Sequence, residues 1–152
     1  MRFGKSIFSH YCILILCLLF CGCEQKVGNP STLNISATTT ISMMVVNISD
    51  TQIELELENH SEDTLYWGTW YVLEKNIEGT WYEVEMELPE GVSLSWHAIQ
   101  YSLAGGEKQS LDYSLEFYEN LSQGNYRIVK DFSFDEKNQE EKFYVACEFE
   151  IK

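Results

Sequence analysis

Two rows of glutamates, four tryptophans, three histidines and a cysteine near the end are the side chains of this chain that could bind or react. Glu54, Glu56 and Glu58 share one face of a candidate strand, and Glu83, Glu85 and Glu87 share one face of another. If those strands were neighbours, the carboxylates could draw Ca²⁺ or a basic partner. A solvated strand face asks for the same residues, because like charges are screened within about 8 Å at physiological salt. His60 stands in a polar turn and His97 in an irregular segment. Neither has a Cys, His or carboxylate at metal-ligand spacing, so no metal and no cofactor is expected. Nucleophile motifs, phosphate-cradling glycine loops and Cys-His arrangements are absent, and the chain does not read as an enzyme. The aromatics are the stronger lead: Trp67, Trp81 and Trp96 are candidate ligand contacts that could stack on sugars or anchor a protein partner. Trp81 is the most suggestive, since its strand face otherwise carries glutamates.

The N-terminus has a chemistry of its own. Arg2 and Lys5 precede an apolar run from Ile7 to Phe20 that is too short to span a bilayer, which is the pattern of an export signal. Gly22-Cys23, followed by polar Glu24-Gln25-Lys26, resembles the lipobox of bacterial lipoproteins, where a cysteine is acylated and the chain is cleaved just before it. Cys23 fits better than Cys21, because small Gly22 precedes the first and bulky Phe20 the second. Phe20 and Cys21 themselves depart from the favoured lipobox residues. The resemblance implies residues 1–22 as a signal peptide, a palmitate-type anchor on Cys23 and a place at the extracytoplasmic face of the cell membrane. Plain secretion and an uncleaved N-terminal anchor are the alternatives.

Processing before Cys23 would remove Arg2 and Lys5 and no acid, leaving eight basic side chains against 24 acidic ones. Nucleic acid is thereby excluded as a partner, since phosphate neutralisation needs clustered Lys and Arg. Of the five cysteines, only Cys147 would remain as a free thiol, so the fold must be held without an internal disulfide. Cys147 alternates with Phe143, Val145, Phe149 and Ile151, which places it on an apolar strand face as a small buried hydrophobe.

Residues 23–40, rich in Gly, Pro, Asn, Ser and Thr, read as a flexible tether ahead of a single domain over residues 41–152. Strands are expected at 42–47, 52–59, 70–76, 80–87, 108–114, 125–134 and 142–151. Ile77-Glu78-Gly79 reads as a three-residue hairpin connection, residues 89–103 are less regular, and residues 115–121 have room for one or two helical turns. Seven to eight short strands with turn chemistry between them predict an antiparallel β-sandwich.

Gly124-Asn125-Tyr126 opens the penultimate strand and looks like a tyrosine corner, in which the hydroxyl bonds back to the backbone and Gly permits the bend. Together with Gly79-Thr80-Trp81-Tyr82-Glu83-Val84, Gly105-Gly106-Glu107 and Tyr126-Arg127-Ile128-Val129, these residues resemble the bacterial immunoglobulin-like (Big) domain found in small bacterial lipoproteins. The resemblance covers about residues 41–152. It implies an all-β immunoglobulin-like sandwich acting as a non-catalytic binding or structural module, its partner an unknown protein or a cell-wall glycan. Ile128 stands where antibody domains carry a disulfide cysteine, in keeping with the cysteine count. Two other readings use the same sandwich: a proteinase inhibitor presenting a loop such as Leu88 to Ser95, and a carbohydrate-binding module using exposed aromatics. Sequons at Asn34, Asn47, Asn59 and Asn120 would be chance occurrences in a bacterial lipoprotein and glycan sites in a eukaryotic secreted protein.

Overall fold

The computed structural model describes residues 25–95, 99–137 and 141–152. The signal segment, Cys21, Cys23, Trp96 and His97 lie outside the described residues. The strands are β1 (Val27–Pro30), β2 (Ile41–Ile48), β3 (Gln52–Asn59), β4 (Leu65–Trp67), β5 (Val72–Ile77), β6 (Thr80–Val84), β7 (Tyr101–Leu103), β8 (Lys108–Ser114), β9 (Gly124–Phe132) and β10 (Phe143–Ile151). They form an antiparallel sandwich of a five-stranded sheet, β1-β6-β5-β9-β10, and a three-stranded sheet, β2-β3-β8, with β4 and β7 paired separately. The expected strands are present, and three short ones are added: β1, β4 and β7. The described residues include no helix, and residues 115–121 form turns instead.

Alternation sets the core. Ile53, Leu55 and Leu57 on β3 are fully buried against Leu73, Tyr126 and Ile128 of the other sheet, while the intervening glutamates face outward. Each buried aliphatic side chain contributes about 1.5–3 kcal/mol, which is what lets the domain do without a disulfide. The β5–β6 hairpin turns on two residues rather than three. Glu78 (φ 52°) and Gly79 (φ 88°) both lie in the left-handed region, the requirement of a type I′ turn, and Asn76 Oδ1 accepts the Gly79 amide at 2.9 Å.

The expected tether is the main correction. From Gln25 onward the chain is built into the sandwich: β1 pairs with the free edge of β6, with Lys26 O accepting from Glu85 N and Ser31 N donating to Trp81 O. Ser36 N then donates to Tyr144 O at the opposite edge of the same sheet, where Ile35 bridges Tyr144 in parallel. Between these two edges the outward-facing Arg127, Val129 and Asp131 of β9 are buried, at 8%, 0% and 5% exposure. Residues 31–35 thus form a strap across the outer face of the five-stranded sheet. A polar composition hid this because edge pairing and strapping use backbone groups, which any residue supplies.

The corner at Tyr126 ties the first described residue to the core. Tyr126 is fully buried, and its hydroxyl donates to Ser122 O at 2.6 Å. The Gln25 amide lies 2.6 Å from the same hydroxyl, and Lys75 Nζ donates to Gln25 Oε1 at 3.1 Å. Gly124 has φ 154°, and a Cβ there would sit 3.2 Å from Lys75 Cε. Tyr126→Phe is expected to cost about 0.5–1.5 kcal/mol, the net worth of a hydrogen bond, because the part-buried Ser122 carbonyl and the Gln25 amide lose the hydroxyl they share. Chemical denaturation would read this as a lower midpoint with an unchanged slope, and an unchanged midpoint would refute it.

Candidate functional site

In the constant-type immunoglobulin sandwich one sheet has four strands, the fourth pairing with the strand equivalent to β8. Here no described residue takes that place. β7, the short strand just before β8, pairs with β4 instead, through Leu65–Leu103, Tyr66–Ser102 and Trp67–Tyr101. Reciprocal bonds between Tyr66 and Ser133, at 2.8 and 2.9 Å, draw β4 and β7 towards β9 of the other sheet. β8 therefore ends the three-stranded sheet, and a cleft of about 320 Å³ opens beside it. That is the lower end of the range for small-ligand pockets.

One wall of the cleft is β8 itself, from Gln109 to Ser114, and the other is built from Trp67, Gly68, Tyr71 and Tyr101. Tyr71 packs on Tyr113 with ring centroids 4.6 Å apart and donates to Ser114 O at 2.7 Å. Burial pushes the Tyr71 phenol up to about 12, and burial pushes Tyr113 upward too, so both stay neutral hydroxyls at ordinary pH. At the rim Asp112 Oδ1 accepts from Gln52 Nε2 at 2.8 Å. The arrangement offers aromatic surface, a carboxylate and, among the described residues, unpaired backbone. It holds no nucleophile beside a base, and no cluster of three or more His, Cys, Asp or Glu suited to a metal occurs among the described residues.

The candidate aromatics are not brought together. Trp67 is only 4% exposed, stacked on Tyr101 and set edge-on to Phe132, so it packs the core beneath the cleft rather than offering a free face. Trp81 is half-buried on the outer face of β6, where the Arg127 guanidinium sits 4.5 Å from its ring. That guanidinium, ion-paired with buried Glu74 at 2.6 Å, occupies one ring face. The third candidate, Trp96, lies outside the described residues. The loop toward Ser95 carries half-exposed Val92 and Leu94.

The two glutamate rows lie on different sheets, so they cannot pool their charge on one ion. Glu56 and Glu58 share Lys108, at 3.3 and 2.9 Å, and Glu58 also meets His60 Nδ1 at 3.4 Å. Glu83 pairs across the ladder with Glu74, and burial, with the charges of Glu74 and Glu85 added, raises its carboxyl above the usual value. Cys147 is a buried free thiol whose pKa is raised by burial. Asn59, part of a sequon, is fully buried and bonded to Asp63 O and Leu103 O, so the folded domain hides it. Sequence reading missed the β8 edge altogether. Lys108 to Ser114 signals a strand but carries no sign of whether a neighbour flanks it.

Comparison with curated proteins finds no match. Among solved structures, a protein from Archaeoglobus fulgidus is similar at 13% identity over 74% of this chain and 95% of that one, with a TM-score of 0.29. The sequence profile of the bacterial Ig-like domain matches residues 33–149, beginning within the strap rather than at β2. That match spans both sheets, the tyrosine corner and the β8 edge, and the chain belongs to the bacterial Ig-like domain family.

Proposed function

We propose that this protein is a lipid-anchored, extracytoplasmic, non-catalytic binding module, held at the cell membrane through Cys23. Bacterial Ig-like domains are generally non-catalytic structural or binding modules, and the family match supports that part of the reading. The anchoring part is supported by the signal-like residues before Gly22-Cys23. The observation that carries the reading furthest is the position of Gln25, only 8% exposed and packed against Tyr126. Two residues reach at most about 7 Å, so a lipid on Cys23 would hold the sandwich against the bilayer rather than on a long leash. The end bearing Ser122 and Lys75 would face the lipid, and the opposite end would face outward.

Acyl chains contribute about 0.8 kcal/mol per buried CH₂, and two or more hold a protein stably. Cys23→Ala is therefore expected to move the protein out of the membrane fraction and abolish incorporation of labelled fatty acid, whereas Cys21→Ala leaves both unchanged. Persistent labelling of Cys23→Ala would overturn the assignment.

A further inference from the structure

We infer that the edge of β8, unpaired among the described residues, is a strand-acceptor site for an extended peptide whose inward side chains are apolar and whose outward side chains are basic. The inference gives a ligand class to the non-catalytic binding module proposed above and rests on that reading.

The backbone phase of β8 follows from the bonds at its two ends. Asn59 N donates to Glu107 O, and Leu115 N donates to Thr51 O. In an antiparallel ladder, residues bonded to the partner strand alternate with residues whose N–H and C=O point away from it. The register pairs Leu57 with Gln109, Leu55 with Leu111 and Ile53 with Tyr113, in step with both end bonds. Lys108, Ser110 and Asp112 therefore turn their backbone donors and acceptors out of the sheet. Ser114 belongs to the same set, and its outward carbonyl is the one Tyr71 bonds. Such an edge is normally shielded by proline, a bulge, an inward charge or a covering loop. β8 has no proline, and its pairing with β3 runs without a register shift.

The two faces of an added strand would meet different surroundings. Side chains level with Leu111 and Tyr113 would point inward, onto the aromatic floor of the 320 Å³ cleft at Trp67, Tyr71 and Tyr101. Side chains level with Ser110 and Asp112 would point outward, beside Asp112 and Glu54, which face each other across the ladder. Lys108 is already shared by Glu56 and Glu58, and Asp112 has neutral Gln52 as its partner. Like charges directly opposite destabilise a sheet, so a Lys or Arg on the incoming strand gains a cross-strand ion pair and relieves a repulsion. This is strand addition, with main-chain bonds giving affinity and the cleft giving selectivity.

The test uses the mature protein in mild detergent and a fluorescent peptide alternating Lys with Val and Tyr, alongside the same peptide with Glu for Lys. Anisotropy is expected to show the Lys peptide binding at least about tenfold more tightly than the Glu peptide. Amide exchange should slow in residues 108–112. Ser110→Pro removes an outward N–H without touching the β3 ladder, a place where edge strands accept proline. It should weaken binding by about tenfold or more while leaving the melting temperature and the membrane fractionation unchanged. Asp112→Lys should reverse the charge preference. Equal binding to Ser110→Pro, protection confined to another surface, or occupation of the cleft by cell-wall glycan fragments with no peptide binding would each overturn the inference. Because fractionation reads Cys23 and anisotropy reads β8, failure of one is separable from failure of the other.

Discussion

Asp131→Ala is expected to destabilise the domain by about 3–5 kcal/mol, the usual cost of leaving a buried ion without its partner. Lys130 has no exposed surface; its ammonium donates to Trp70 O at 2.5 Å and to Asp131 Oδ1 at 2.8 Å. The second Asp131 oxygen accepts from Lys142 at 2.7 Å. Removing the carboxylate lets Lys142 return to water, because it is already 35% exposed, but strands Lys130. The double variant Lys130→Met with Asp131→Asn should lose much less than Asp131→Ala alone, because it takes away the charge that would be stranded. Burial by itself would raise the Asp131 carboxyl, and the charges and hydrogen bonds of Lys130 and Lys142 more than reverse this, so its pKa lies below the ordinary 3.8. A carboxylate depressed in the folded state contributes stability that is complete above its unfolded pKa and is lost as pH falls through the folded one. The wild-type and Asp131→Ala stability curves should therefore draw together below about pH 4. Burial lowers the Lys130 pKa, so on the alkaline side stability should gain as pH rises through the folded value towards 10.5. Denaturant melts across pH, with curves that stay parallel in acid, would refute this account of Asp131.

The second large effect is expected at Gly105, where an Ala side chain would collide with backbone. A Cβ there would lie 2.6 Å from Ser61 O and 2.7 Å from Glu62 C. That loop cannot step aside, because Asn59 holds it by accepting from Ser61 N and donating to Asp63 O. Gly105→Ala should cost about 2–3 kcal/mol, the upper part of the range for overpacking, and lower the melting temperature by about 10 °C. Its neighbour offers the control. Gly106 has φ 77° with open space around the missing Cβ, so Gly106→Ala meets only the backbone preference, about 1–2 kcal/mol. If Gly106→Ala proved the more damaging of the two, the packing argument at Gly105 would be wrong.

Side-chain pattern announced what it controls. Ile53, Leu55 and Leu57 declared β3 because a half-buried strand must alternate, and Gly79 marked the hairpin because a left-handed φ is needed there. Gly124 and Tyr126 were readable for the same kind of reason, each filling a position few residues can. Backbone pairing carries no such signature. β1, with the sequence Val-Gly-Asn-Pro, is held through its amides and carbonyls and looked like linker. β4 and β7 are three residues each, too short for a period to register. Lys130 and Asp131 read as ordinary charged strand residues, since burial of an ion pair depends on what crosses above it. The cleft was invisible for a related cause: it exists because β7 pairs with β4 rather than with β8, and pairing choice is not written in β8.

The strap also has a mechanical meaning. If the chain is pulled from Cys23 while a partner grips the domain, the load enters at Gln25 and runs along β1, whose bonds to β6 at Lys26 and Ser31 lie side by side across the direction of pull. Bonds arranged in that way share a shear force, whereas a hairpin pulled from one end opens bond by bond. The next points to be loaded are Ser36 and Tyr144, at the far edge of the same sheet. A tug on the anchor would therefore be spread across the width of the sheet, and the lifetime under force would be governed by the rate at which β1 slips from β6.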